Sequence, residues 1–141
     1  MIIYKSQISE SNYNELRASV GWNRLDKTQA ETGLSNSSYL TVAYDDHTPV
    51  GMARVISDGG YMFLIADVMV HPKYQGRGIG LHLLNNIGEW LDELSKDGKC
   101  IMVNLMSTPG NEPFYKKFGF ESRPNERMGA GMVKWINRQL T

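Results

Sequence analysis

The chain has a single cysteine, Cys100, in 141 residues. One thiol cannot close an internal disulfide, so the core must stand on burial and hydrogen bonding, and a reducing, cytoplasmic setting is expected. Net charge is also missing: fifteen basic residues meet fifteen acidic ones. A balanced chain has no global field to gather nucleic acid or an anionic membrane, and neither partner is expected. No apolar run approaches the roughly twenty residues of a membrane span. The start, Met-Ile-Ile-Tyr-Lys-Ser, is too short and polar for a secretory leader. Internal repeats and low-complexity segments are absent. At this length one domain over residues 1–141 is expected, with enough chain to bury a core unaided.

What the sequence does have is a stretch from Leu64 to Gly80 that reads as strand, tight loop and helix start. Its strand part is apolar and β-branched apart from Asp67, and Pro72 ends it because proline cannot donate to a ladder. Gly76, Gly78 and Gly80 then fall at every second position. Without a Cβ, such a loop can tighten and bring its N–H groups close to a ligand. The helix that follows adds unpaired N–H groups and the positive end of its dipole, which together suit an anion, most naturally phosphate. The Walker loop is excluded, since Leu81-His82 follows Gly80 where Lys-Ser/Thr is needed. The dinucleotide fingerprint is excluded by one residue, not two, between the last two glycines.

The remaining elements follow from period and punctuation. Ile2 to Gln7 is a first strand. Ser9 caps a helix running to about Val20 and ended by Gly21. Asp26 caps a second helix through Thr32, broken at Gly33. Tyr39–Tyr44, Val50–Ile56 and Tyr61–Val70 form an antiparallel meander, joined by Asp45–Pro49 and by the Asp58-Gly59-Gly60 hairpin. Gly51 marks a bulge or a close approach. From Ile79 to Leu94 the apolar residues keep helical period. Cys100–Met106 is a buried strand with Cys100 as a small core residue, parallel to the central strand through a right-handed crossover. Asn111 to Phe120 gives a short helix ended at Gly119, and Met128–Ile136 a final strand. His47 lies in a turn and is read as exposed.

Gln75-Gly76-Arg77-Gly78-Ile79-Gly80 resembles the Gln/Arg-x-x-Gly-x-Gly/Ala pyrophosphate loop of the GNAT superfamily of N-acetyltransferases. Asp67-Val68-Met69-Val70 before it resembles that family's fourth strand, and Asn111, Phe114-Tyr115 and Gly119-Phe120 resemble its fourth helix and following strand. The resemblance implies an α+β (α/β) fold: a mixed, mostly antiparallel sheet of six to seven strands, about four helices, and two central parallel strands that splay. It implies acetyl-CoA as co-substrate and no metal.

By the same resemblance, Val68, Met69, Val70, the loop Gln75, Gly76, Arg77, Gly78, Ile79 and Gly80, and Asn111, Phe114 and Tyr115 bind the coenzyme. A backbone N–H near Met69 or Val70 faces the developing oxyanion. Tyr115 is the general acid for the leaving thiolate, since a tyrosine of pKa about 10 can protonate a thiolate whose acid lies near 8.5. Asp67 is the candidate base, directly or through water. The position used as a glutamate base by histone-acetylating members is Leu64 here, which favours a small amine acceptor. Trp22, Arg24 and Tyr61 are candidates for acceptor contact; for Trp22 and Arg24 a plain aromatic lid and a solvated cation serve as well. Three functions remain open: transfer to a small primary amine by direct attack in a ternary complex, transfer to a protein amino group, and a coenzyme-binding sensor. A homodimer is an expectation of the resemblance alone.

Overall fold

The computed structural model describes residues 1–138. The chain packs as two compact units, residues 1–104 and 105–141. The first holds β1 (Ile2–Lys5), α1 (Glu10–Ser19), α2 (Lys27–Ser35), β2 (Tyr39–Asp45), β3 (Thr48–Ser57), β4 (Met62–Val70) and α3 (Ile79–Leu94), and β5 (Met102–Leu105) closes it. The sheet order is the chain order, β1 to β5, and the first four strands are antiparallel. The Met102 N–H donates to Tyr61 O at 2.7 Å. The first residue of β5 therefore meets the residue just before β4, and the two neighbouring strands start at the same end, as a helical crossover requires.

Helices cover both faces of the sheet. Val42, Met52 and Met69 are register partners across three strands. They bury against Tyr13 and Leu16 of α1 and Ala30 of α2 in one apolar cluster. The alternate residues face α3: Asn86 donates to Thr41 Oγ1 at 3.0 Å, and Trp90 stacks on Tyr39 at 4.9 Å. A Cβ on Gly51 would meet Ile79 Cγ2 and the Met69 carbonyl at 3.1 Å. The glycine is therefore a close approach between β3, β4 and α3, and it also borders a bulge: Gly51 pairs with Ala43 and Pro49 with Tyr44, which leaves Val50 as an extra residue on β3.

A second bulge lies between β3 and β4. Between Met52 and Arg54 stands one residue, but their partners Met69 and Ala66 are separated by two, Asp67 and Val68. The extra residue is on β4. It resets the alternation of side chains. Phe63 meets Trp90 on the α3 side, whereas Met69, six residues on, joins the α1 cluster on the opposite side. An unbroken strand would have put both on one face.

Several expectations are corrected. Among the described residues there are five strands, not six or seven. Met128 to Ile136 forms none, and Met132, Val133, Trp135 and Ile136 are exposed. Phe120 likewise enters no strand. Apolar alternation supplies strand propensity, but a strand needs a ladder partner. Cys100 is exposed, because β5 begins only at Met102. α2 continues through Gly33 to Ser35, and the Gly33 carbonyl accepts from Arg54 Nη1 at 3.2 Å. Caps were more legible: Ser9 Oγ accepts from Asn12 N at 3.1 Å and Asp26 Oδ2 from Gln29 N at 3.1 Å.

Candidate active site

The first part of the site runs from the β4 bulge to the start of α3. After Val70 the chain makes a 3-10 turn, Pro72–Tyr74. The Tyr74 hydroxyl donates to Asp45 Oδ2 at 2.5 Å, which fastens this turn to the end of β2. Gln75 Nε2 donates to the Val70 carbonyl at 3.0 Å, folding the loop back onto the strand it left. Gly76 and Gly78 both take positive φ, +77 and +80, and a Cβ on either would meet nothing within 4 Å. They are glycines for backbone conformation and for the open space above them, not for internal packing.

Gly78 is the N-cap of α3 and offers no side-chain cap. The first-turn N–H groups of a sixteen-residue helix are thus left for an external acceptor. Arg77 lies 4.7 Å over the Tyr74 ring and donates from Nη2 to Lys73 O at 3.2 Å, so one cation is held beside the loop. Ile79 is buried and anchors the helix start, and Gly80 lies within its first turn. Open glycines, uncapped helical N–H groups and a tethered guanidinium are together the chemistry that suits a phosphate group. These residues fit the pyrophosphate of a coenzyme.

Asp67, the candidate base, is tied by side chains from two other elements. It has φ +54, and among the described residues no other non-glycine within a strand has positive φ. Its Oδ2 accepts from Tyr13 Oη at 2.6 Å and from Arg54 Nε at 2.7 Å, and its Oδ1 from Arg17 Nη1 at 3.4 Å. The Asp67 side chain is 12% exposed and both guanidinium side chains 15%. Burial first, then the Asp67 charge and its hydrogen bond, push the Tyr13 hydroxyl up to about 12. It therefore remains a donor throughout the physiological range. No residue motif announced Tyr13, Arg17 or Arg54, which lie 54, 50 and 13 positions from Asp67.

The acceptor candidates separate. Trp22 packs half-buried against the α1 cluster, with the Arg17 guanidinium 5.5 Å from its ring. It is therefore joined to the Asp67 group. Arg24 points to Glu15 at 3.0 Å in an exposed ion pair. Tyr61 is 61% exposed and precedes β4. The nine residues of β4 put it about 30 Å of strand from the loop.

The second unit contains α4 (Glu112–Lys116). Asn111 precedes it, with Nδ2 donating to Thr108 Oγ1 at 2.5 Å. Tyr115 is buried, packed edge-on to Phe114 at 5.1 Å and to Phe120 at 6.2 Å. Burial raises its hydroxyl above the ordinary tyrosine value, so it holds its proton at neutral pH. Gly119, at φ +89, turns the chain after the helix.

Comparison with known proteins gives this arrangement its class. Residues 36–122 match the model of the acetyltransferase (GNAT) domain. The chain belongs to the GNAT family of N-acetyltransferases, and its α+β fold is that family's. It is 31% identical to an N-acetyltransferase named ycf52 from Pyropia yezoensis, over 96% of this chain and 78% of that one. A probable acetyltransferase from meticillin-resistant Staphylococcus aureus superposes with a TM-score of 0.85 at 29% identity, covering 96% of this chain and all of that one. A protein named histone acetyltransferase TAP1 from Glycine max is 31% identical over 74% of this chain and 48% of its own length.

Proposed function

We propose that this protein transfers the acetyl group of acetyl-CoA to the primary amine of a small molecule by direct attack in a ternary complex. The observation that carries the reading is the continuity of the bulged β4 with the open glycine loop and the uncapped α3 N-terminus. Gln75 to Gly80, with Arg77, hold the pyrophosphate; Val68 to Val70 and, in the second unit, Asn111 and Phe114 contact the rest of the coenzyme. When bound, acetyl-CoA supplies an acyl group already activated as a thioester, so no metal is required. Backbone N–H groups at the bulge stabilise the charge that develops on the acetyl oxygen. Tyr115 keeps its proton for the departing thiolate. The ammonium of the acceptor loses its proton to water, because the Asp67 oxygens are engaged by three donors.

A small acceptor is favoured by zero net charge and by Leu64 standing where a glutamate base would be expected. Trp22 supplies an aromatic surface for it. The exposed thiol of Cys100 suits a reducing compartment, the cytoplasm. The test is thiol release from acetyl-CoA across arylalkylamines, polyamines, amino sugars, amino acids and a lysine-containing histone peptide. Turnover on a small amine and not on the peptide is expected. Turnover confined to the peptide overturns the acceptor class, and binding of acetyl-CoA without turnover on any amine overturns the enzyme reading in favour of a sensor.

A further inference from the structure

The group around Asp67 has more cations than it needs and sits where the sheet is least regular. A carboxylate within β4 is held in left-handed backbone by a tyrosine from α1, an arginine from β3 and a second arginine from α1. Left-handed backbone is unfavourable for a residue with a Cβ, and aspartate tolerates it better than most. Such a conformation persists only where the surroundings over-determine it. Here they do. Arg54 is itself fixed by Gly33 O and Ser37 Oγ at 3.2 and 3.3 Å, and Arg17 by Asn23 O at 2.8 Å. The Tyr13 ring is 2% exposed in the α1 cluster, so its hydroxyl cannot wander. Three side chains from outside β4 therefore impose the backbone of the one position where β4 gains a residue.

We infer that Tyr13, Arg17 and Arg54 are positioning residues: by clamping Asp67 they hold the Asp67–Val68 bulge, and with it the N–H groups of Val68 to Val70, in the geometry the transfer reaction uses. The inference rests on the proposed acetyl transfer. It gives Asp67 a role distinct from that of a base, and gives α1 a role in the chemistry without any contact to the coenzyme. Loosening the clamp leaves the loop at Gln75 to Gly80 intact, since the turn before it is fastened to Asp45 by the Tyr74 hydroxyl and the helix after it is anchored by buried Ile79. Coenzyme binding and turnover should therefore come apart.

The experiment uses the full chain and the variants Tyr13→Phe, Asp67→Asn and Asp67→Ala. Amide shifts and hydrogen exchange of Val68, Met69 and Val70 are read without any ligand, then kcat, KM for acetyl-CoA and the pH profile of kcat/KM. Tyr13→Phe keeps the buried ring and is the variant least able to unfold the protein. It is expected to speed exchange of these amides about tenfold or more and to lower kcat about ten- to a hundredfold. KM for acetyl-CoA should stay within about twofold and the pH profile should keep its shape. Asp67→Asn, which still accepts hydrogen bonds and tolerates positive φ, should keep more activity than Asp67→Ala. Unmoved amides in Tyr13→Phe, or moved amides with unchanged kcat, overturn the inference. Loss of the acidic limb in Asp67→Asn also overturns it, because that limb would identify a base. If the wild-type protein has no transferase activity, the acetyl-transfer reading falls, while the amide measurements still report whether the clamp holds the bulge.

Discussion

Replacing Tyr13 by phenylalanine removes one oxygen and little else. The ring stays packed among Leu16, Ala30, Val42, Met52 and Met69, so no cavity opens. What is lost is a hydrogen bond of 2.6 Å to a carboxylate in a part-buried cluster. Bonds to charged groups contribute about 1.5–3 kcal/mol, so a loss of about 2 kcal/mol at neutral pH is expected. For a chain of this size that is a fall in Tm of about 4–8 °C. The pH dependence is a second, independent reading. The Tyr13 hydroxyl is raised from 10.0 to about 12, by burial first and then by Asp67. A group with a raised folded pKa contributes stability that is complete below its unfolded pKa and is lost as pH rises through the folded one. The difference between wild type and Tyr13→Phe should therefore be constant to about pH 10 and shrink between pH 10 and 12. Urea unfolding at several pH values, monitored by tryptophan fluorescence, reads both. A difference below about 0.5 kcal/mol at neutral pH, or one that does not shrink in the alkaline window, refutes the reasoning.

Tyr115→Phe should lower kcat about a hundredfold while acetyl-CoA affinity, read by thermal shift, changes less than about twofold; weakened binding with normal turnover per bound coenzyme would remove its acid role. Gly78→Glu puts a side chain at φ +80 and a negative charge at the phosphate site; acetyl-CoA should then give no thermal shift, and tight binding by this variant would remove the loop assignment. Gly51→Ala drives a methyl into Ile79 and the Met69 carbonyl, at 3.1 Å from each; it should cost about 1–3 kcal/mol in urea unfolding, and a neutral result would mean that β3 and α3 yield more easily than their packing indicates.

The local features of this protein were legible along the chain because their causes are local. Ser9 and Asp26 cap because a hydroxyl and a carboxylate lie three residues from an unpaired N–H. The tight loop from Gln75 to Gly80 and the helix start after it were legible because glycine spacing acts on a few neighbouring residues. The amphipathic α3 was legible from its apolar period over Ile79 to Leu94, although the close expected at Lys96-Asp97-Gly98 lies just beyond its Ser95 cap. Tertiary structure decided what depends on partners distant in sequence. Asp67 read as a solitary acid on a strand, and only folding brings Tyr13, Arg17 and Arg54 onto it. The β4 bulge left no mark in the alternation, since both faces of the sheet are covered by helices and apolar residues suit either side. The stretch from Met128 to Ile136 shows the converse: its residues favour a strand, but pairing is a property of two segments, and one of them cannot supply it.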